Sequence, residues 1–230
     1  MQARFNLTPT SQIRKPTVYV NALMHEYKGY AFDETLAQNN RGLWREQAFS
    51  TNDSNIPMDV EIGTANGWFF SHQAAKAPER FLLGIELKFK PLILAIRRVL
   101  ANNLINARIC RFHAAYLDLL FADDEINNTY IHHPDPWTKR RKQKHRLMSN
   151  EFLDILYKKQ RKNSFLDFKT DSRDYFFWAV EEIKKSKYSV IRYSEDLHRS
   201  EWVTENFVTQ FEHIFISQGL PIFYMRLHKA

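Results

Sequence analysis

From residue 58 onward, short apolar segments alternate with segments whose apolar residues recur at helical spacing. The apolar segments predict seven strands, namely MDVEIG, FLLGIE, ARICRF, TYIHH, SFLDFKTD, YSVIRY and PIFYMRLH. Helices are expected between them, over 66–78, 91–103, 149–161, 172–185 and 206–218. This order predicts an α/β fold with a mostly parallel sheet and helices on both faces. Ligands of such sheets bind at the carboxyl ends of the strands.

Residues 1–56 lack this regular alternation and end in the turn-rich stretch FSTNDSNIP. A short helix is expected within them, around 43–49. We therefore expect a partly ordered N-terminal extension over 1–56, followed by an α/β domain over 57–230.

Composition limits the environment and the partners of the chain. Hydrophobic residues make up 44% of the 230 positions, which is enough for a sizeable core, and the formal net charge of +7 favours a polyanionic partner. Cys110 is the single cysteine, which excludes an intrachain disulfide and a thiolate cluster. No segment approaches the roughly 18 apolar residues that a membrane span requires. We expect a soluble cytoplasmic protein with no membrane partner.

The turn EIGTANG lies between the first predicted strand and the first predicted helix. A glycine-containing turn there lets the backbone approach a cofactor, and Glu86 at the end of the second strand can accept both ribose hydroxyls. These features fit a dinucleotide or S-adenosylmethionine. Ala65 and Trp68 stand where a dinucleotide fingerprint requires glycines. Glu61 would repel a pyrophosphate but attract a sulfonium or amino group, so the pattern favours the methyl donor.

The fourth predicted strand leads into HHPDPW, which is followed at once by KRRKQKHR. Prolines on both sides of Asp135 restrict its backbone, and an acidic residue beside Trp137 suits a planar base. His132 and His133 are adjacent on a strand and are expected to point to opposite faces, so we predict no metal site. The basic run lacks an apolar stripe, which predicts an exposed turn that binds phosphates.

Several motifs occur together in the order found in one known family. They are VEIGTANG, FLLGIEL, PDPWTKRRKQKHRL, FKTDSRDYF, SEDLH, NFVTQFE and QGLPIFY. From about Leu43 to its end, the chain resembles the bacterial tRNA (guanine-N7)-methyltransferases, which are class I S-adenosylmethionine-dependent enzymes. The resemblance implies a Rossmann-like sheet of seven strands with the last one antiparallel, and a methyltransferase domain over 57–230.

The resemblance also implies an activity and the residues that carry it. The expected reaction transfers a methyl group from S-adenosylmethionine to N7 of guanosine 46 in the variable loop of tRNA. Asp135 is implied as the catalytic residue at the junction of donor and guanine. The implied donor-binding residues are Glu61, Gly63, Gly67, Glu86, His113 and Asp135. The implied tRNA-binding residues are Lys139, Asp171, Thr209, Gln210, Phe211 and Glu212. No metal is expected, and the enzyme is expected to be a monomer or a homodimer.

Two positions of the expected donor site depart from the family pattern. Ala65 replaces a glycine, and His113 replaces the Asp or Asn that meets the donor's adenine. A neutral imidazole can accept or donate one hydrogen bond, so adenine recognition is expected to be altered. Two other functions compete with the expected one. A class I methyltransferase acting on another RNA or a small molecule would not need the basic run, and a non-catalytic RNA-binding module would retain only the fold.

Overall fold

A mixed sheet occupies the centre of the computed structural model, which describes residues 13–230. Its strands are β1 (Ala31–Phe32), β2 (Met58–Ile62), β3 (Phe81–Glu86), β4 (Ala107–Arg111), β5 (Thr129–His132), β6 (Ser164–Thr170), β7 (Ser189–Ser194) and β8 (Phe223–Lys229). In space their order is β1-β4-β3-β2-β5-β6-β8-β7, and β8 is antiparallel to both of its neighbours. The seven predicted strands are thus confirmed as β2 to β8, and β1 adds an eighth.

The helices between these strands agree with most of the predicted ones. They are α1 (Thr17–Asn21, continued by a π-helical turn over Ala22–Glu26), α2 (Glu34–Asn39), α3 (Trp44–Phe49), α4 (Trp68–Lys76), α5 (Phe89–Ala101), α6 (Leu117–Leu120), α7 (Asn150–Lys159), α8 (Arg173–Ile183) and α9 (Gln210–Ser217). The short helix expected around 43–49 is confirmed as α3. Ser149 and Ser172 cap α7 and α8 through their side chains.

One helix boundary was predicted wrongly. The helix expected to start at Asn206 starts at Gln210, because Thr209 has an extended backbone and caps the first turn. The side chain of Asn206 instead accepts a hydrogen bond from Lys169, at 2.9 Å, and donates one to Glu212, also at 2.9 Å. Residues before Thr209 are therefore held in a loop by long-range hydrogen bonds that helical spacing does not reveal.

The core lies on both faces of the sheet. Neighbouring strand residues belong to different clusters: Leu82 belongs to the cluster that contains residues of α4 and α5, whereas Leu83 belongs to the cluster that contains residues of α7 and α8. Ile109 and Cys110 divide in the same way, as expected from the alternation of side chains along a strand. The predicted placement of helices on both faces is therefore confirmed.

The described part of the N-terminal segment packs against one edge of this sheet. β1 pairs in parallel with β4, and the fully buried Trp44 donates a hydrogen bond from its ring nitrogen to the carbonyl of Leu120, at 3.0 Å. Residues 1–12 of the expected extension lie outside the described residues. The division of the chain between residues 56 and 57 stays a prediction.

Gly67, at the start of α4, is required by both backbone and packing. Its φ is +77°, and a Cβ atom there would lie 2.6 Å from Cα of Ala95 in α5. The absence of a side chain thus permits close contact between α4 and α5. Gly67 is not among the residues that line the main cavity, so its part in donor binding remains a proposal.

We expect Gly67→Ala to destabilise the protein by about 2–5 kcal/mol, since a strained backbone adds to overpacking. Gly29→Ala is the matched control, because Gly29 has φ of +85° but a Cβ atom there would meet no other atom within 4 Å. Gly29→Ala should lower the free energy of unfolding only by the backbone strain, which is about 1–2 kcal/mol. Urea unfolding of both variants measures the difference. Equal losses would show that the contact with Ala95 is unimportant.

Candidate active site

A cavity of about 370 Å³ lies at the carboxyl ends of β2 to β5, beside the start of α9. Ligands of parallel sheets bind at this edge. Of the predicted site residues, the cavity brings together Glu61, Gly63, Glu86, His113, Asp135, Thr209, Gln210 and Phe211. Gly67, Lys139, Asp171 and Glu212 are outside its lining. The sequence-based prediction missed several lining residues, including Thr64, Asn66, Phe69, Lys88, His145 and Leu147.

The turn after β2 is held by the carboxylate at the end of β3. Glu86 accepts hydrogen bonds from the backbone amides of Ala65, at 3.1 Å, and of Lys88, at 2.9 Å. Glu61 and Thr64 are buried in the same region, and one side-chain oxygen of each has no hydrogen-bond partner among residues 13–230. Buried acceptors of this kind require a donor, which a bound ligand with an ammonium or hydroxyl group supplies.

The half of the cavity lined by Glu61 and Glu86 has an excess of acidic groups. Burial raises the pKa of Glu61 well above its ordinary value, and the neighbouring Glu86 carboxylate raises it further. Burial also raises the pKa of Glu86, against the opposing effect of the amides of Lys88 and Ala65. A ligand that brings positive charge here would relieve both effects. The set of acceptors therefore fits a cationic ligand with hydroxyl groups and does not fit a pyrophosphate.

His113 stands at the end of β4 with a defined hydrogen-bonding role. Its Nδ1 accepts from the backbone amide of Ala115, at 3.2 Å. Burial lowers the pKa of His113, which favours the neutral imidazole. Because Nδ1 is an acceptor, the single ring proton resides on Nε2. The sequence left open whether His113 donates or accepts a hydrogen bond. In this geometry its Nε2–H can only donate a hydrogen bond to a ligand.

The loop after β5 brings His132, His133, Asp135 and Trp137 to the cavity. The expectation that the two histidines point to opposite faces was wrong, since both line the cavity. The reason is the backbone of His133, whose φ of +49° ends the alternation of the strand. Trp137 also has a positive φ, of +43°, and Asp135 between the two prolines is exposed.

The buried side chain of Arg146 holds this loop in place. Its Nε donates to the carbonyl of Pro136, at 2.8 Å, and its guanidinium forms an ion pair with Asp174. The guanidinium also lies over the rings of Tyr175 and Trp178, at 5.1 and 5.2 Å from their centroids. Its side chain has no exposed surface. The last cation of KRRKQKHR is therefore a buried structural residue and is not available to a polyanion.

The other cations of the run form an exposed turn, as predicted. Residues 140–145 adopt a 3-10 helix that follows Lys139, and we call residues 139–145 the basic turn. Lys142 lies 5.2 Å from the ring centroid of Trp137, and His145 packs against the same ring. The basic turn thus continues directly from the cavity wall onto the surface.

The start of α9 depends on a buried ion pair. Glu212 is fully buried, 2.8 Å from Nζ of Lys169, and its carboxylate accepts from the Thr209 amide in a capping box. Burial alone would raise the pKa of Glu212, but the Lys169 ammonium and the hydrogen bonds from Lys169, the Thr209 amide and Asn206 together outweigh burial and lower the pKa. Glu212 therefore positions Thr209, Gln210 and Phe211 at the cavity without lining it.

No group of three or more His, Cys, Asp or Glu side chains within residues 13–230 is arranged to hold a metal ion. No helix in this range is long and apolar enough to cross a membrane.

Asp171, the remaining predicted site residue, has its carboxylate 3.3 Å from Nδ1 of His133.

A Rossmann-like sheet with an acid-lined cavity at its carboxyl edge defines a class I S-adenosylmethionine-dependent methyltransferase. A crystal structure of an rRNA methylase from Streptococcus thermophilus shares this fold, with a TM-score of 0.52 at 12% identity over 76% of this chain and 88% of that one. The family model described as "Putative methyltransferase" matches residues 55–225.

Curated relatives identify the family more closely. The tRNA (guanine-N(7)-)-methyltransferase of Bdellovibrio bacteriovorus is 48% identical over 208 residues, which cover 90% of this chain and 99% of the relative. The protein of the same name from Lachnoclostridium phytofermentans is 35% identical over 182 residues, or 79% of this chain and 83% of the relative. The chain belongs to the tRNA (guanine-N7)-methyltransferase family, whose methyl donor is S-adenosylmethionine.

The raised pKa of Glu61 predicts that donor binding depends on pH. A cationic donor stabilises the Glu61 carboxylate and lowers its pKa, so binding releases a proton. We therefore expect the affinity for S-adenosylmethionine to increase as the pH rises above the ordinary glutamate pKa of about 4.3. Glu61→Gln should bind about tenfold more weakly, which is the loss of one charged hydrogen bond, and lose most of this dependence.

Calorimetry across a pH series, repeated in buffers of different ionisation enthalpy, measures both the affinity and the released proton. Glu181→Gln is the matched control, because its carboxylate is on the exposed surface of α8. An unchanged pH dependence in Glu61→Gln would assign the titration to another group.

Proposed function

We propose that this protein transfers the methyl group of S-adenosylmethionine to N7 of guanosine 46 in the variable loop of tRNA. The observation that carries the proposal is one cavity that joins the buried Glu61 and the half-buried Glu86 to Asp135, with the basic turn at its margin. The similarity to curated tRNA (guanine-N(7)-)-methyltransferases supports tRNA as the acceptor. We place this activity in the cytoplasm.

The donor half of the cavity is assigned from its hydrogen-bonding capacity. Glu61 and Thr64, with their unpaired buried oxygens, would accept from the donor's ammonium group. Glu86 would accept from the ribose hydroxyls while the amides of Ala65 and Lys88 hold its carboxylate. His113 would donate its Nε2 proton to a ring nitrogen of adenine. Bound in this way, S-adenosylmethionine supplies an electrophilic methyl group on a sulfonium.

The reaction requires little proton transfer from the protein. N7 of guanine carries a lone pair and no proton, so no general base is needed for attack on the methyl group. Positioning of the two reactants can contribute about 7–11 kcal/mol. Methylation makes the purine ring cationic, and the carboxylate of Asp135 would stabilise the developing charge. The exposure of Asp135 at the cavity leaves it accessible to a base delivered by a large RNA.

We expect Asp135→Asn to lower the methylation rate roughly 10²-fold while tRNA affinity changes little, since the carboxylate acts mainly on transition-state charge. Single-turnover transfer of labelled methyl to a tRNA transcript gives the rate, and filter binding gives the affinity. Asp118→Asn, on the exposed side of α6, is the matched control and should leave both unchanged.

A transcript with adenosine at position 46 tests the acceptor. It should receive no label from the wild-type protein, and equal labelling of the two transcripts would overturn the assigned position. Equal losses of methylation and binding in Asp135→Asn would instead make Asp135 a binding residue. Failure of the wild-type protein to bind S-adenosylmethionine would overturn the enzymatic function altogether.

The basic turn predicts a salt-dependent contribution to tRNA binding. Replacement of Lys139, Arg140 and Arg141 by Gln should weaken binding and reduce the slope of log affinity against log salt by about 0.7–0.9 per lost phosphate contact. A triple Gln variant of Lys184, Lys185 and Lys187 removes the same charge from the region after α8, away from the cavity. Filter binding over a salt series compares the two variants. Equal slopes would show that net charge alone, and not the position of the turn, determines the affinity.

A further inference from the structure

His133 occupies an unusual position at the end of β5. Its φ of +49° is uncommon for a residue with a side chain, and its backbone amide donates to the carbonyl of Lys169, at 2.8 Å. This backbone conformation brings the imidazole to the cavity wall, where its side chain is only 4% exposed and packs against the ring of Phe215. Strained conformations of this kind are concentrated at functional sites.

The two ring nitrogens of His133 have different surroundings. Nδ1 lies 3.3 Å from Oδ1 of Asp171, and an ionised carboxylate can only accept, so Nδ1 carries the proton. Nε2 is buried and has no hydrogen-bond partner among residues 13–230. In the neutral ring Nε2 is therefore an acceptor, and leaving a buried acceptor unpaired is unfavourable. A ligand that enters the cavity can supply the missing hydrogen-bond donor.

The position of His133 indicates which ligand this is. The carboxylates assigned to the methyl donor stand at the ends of β2 and β3, whereas His133 stands after β5 with Asp135 and Trp137. Phe211, on α9, lines the same cavity. This wall is the one assigned to the target base. The N–H group that pairs with Nε2 of His133 would then belong to guanine and not to S-adenosylmethionine.

Guanine needs a contact of this kind for its selection. Adenine and guanine both carry a lone pair at N7, so the reacting atom does not distinguish them. On its Watson–Crick edge guanine has an N1–H and an amino group, both donors. Adenine has a bare N1 acceptor at the corresponding position, which would oppose the lone pair of Nε2. Sites that pair with a substrate N–H strongly reject analogues that lack it.

We propose that Nε2 of His133 accepts a hydrogen bond from the Watson–Crick edge of the target guanine, and that Asp171 acts through His133 as a positioning residue. The assignment rests on the proposed function. It gives Asp171 a role different from the direct tRNA contact implied by the resemblance. The carboxylate fixes the tautomer and orientation of the ring, and the ring contacts the base.

A double-mutant cycle tests whether Asp171 acts through His133. Single-turnover methylation of a tRNA transcript is measured for His133→Phe, Asp171→Asn and the double variant. His133→Phe keeps a ring against Phe215 but removes the acceptor, and should lower the rate constant at limiting tRNA about tenfold. Asp171→Asn should cause a smaller loss, and the double variant should be no slower than His133→Phe. Independent, multiplying losses would overturn the assignment, because Asp171 would then act without the imidazole.

Two further measurements separate a lost contact from a damaged fold. Calorimetric binding of S-adenosylhomocysteine should be unchanged in His133→Phe, and His133→Gln, which restores an acceptor, should recover part of the rate. The preference for guanosine over adenosine at the target position should narrow in His133→Phe, and an unchanged preference would overturn the base contact. A wild-type protein without activity on any tRNA would overturn the proposed function, and this assignment with it.

Discussion

The cavity depends on the parallel pairing of β2 with β3 on one side and with β5 on the other. Ile62 is paired with both Ile85 and Ile131, so the three strands end almost level and their terminal loops meet. Gly84 lies beside Glu61 in the register, and a Cβ atom there would be 2.6 Å from the side chain of Thr64. The missing side chain therefore lets the turn after β2 lie over β3. Both carboxylates and the loop carrying Asp135 reach one cavity for this reason.

Charge is divided between the interior of the site and its margin. Glu61 is buried and Glu86 is half-buried, and the pKa values of both carboxyls are raised, which prepares that half of the cavity for a positive ligand. Buried cations nearby are neutralised within the protein: Arg146 by Asp174 and Lys169 by Glu212. In the Lys169–Glu212 pair both side chains are buried, so removing one partner leaves an unpaired charge, which typically costs about 3–5 kcal/mol. These pairs hold the loop that carries Asp135 and the start of α9, and the exposed cations of the basic turn remain available to phosphates.

Local sequence patterns were sufficient for the fold but not for the chemistry of the loops. Apolar periodicity predicted the strands β2 to β8, and Ser149 and Ser172 were identified as caps from their neighbours in sequence. The start of α9 was missed because it depends on Lys169, which lies on β6 and is distant from α9 in the sequence. The burial of Arg146 was missed for a similar reason, since a charge run carries no sign of which member meets an acid far along the chain. The left-handed backbone of His133 was also missed, because histidine adopts this conformation only occasionally.

The two departures from the family pattern have defined physical consequences in this structure. Ala65 has φ of +46°, a conformation that costs a residue with a side chain about 1–2 kcal/mol and favours glycine. Its amide is nevertheless bonded to Glu86, so the turn keeps its shape. His113 uses its Nδ1 lone pair on Ala115 and retains only a donor. An aspartate there would accept from the amino group of adenine, whereas His113 requires a ring nitrogen with a lone pair. Under the proposed function, the substitution would change which atom of the donor's base is recognised, and it would leave one hydrogen bond available to recognise it.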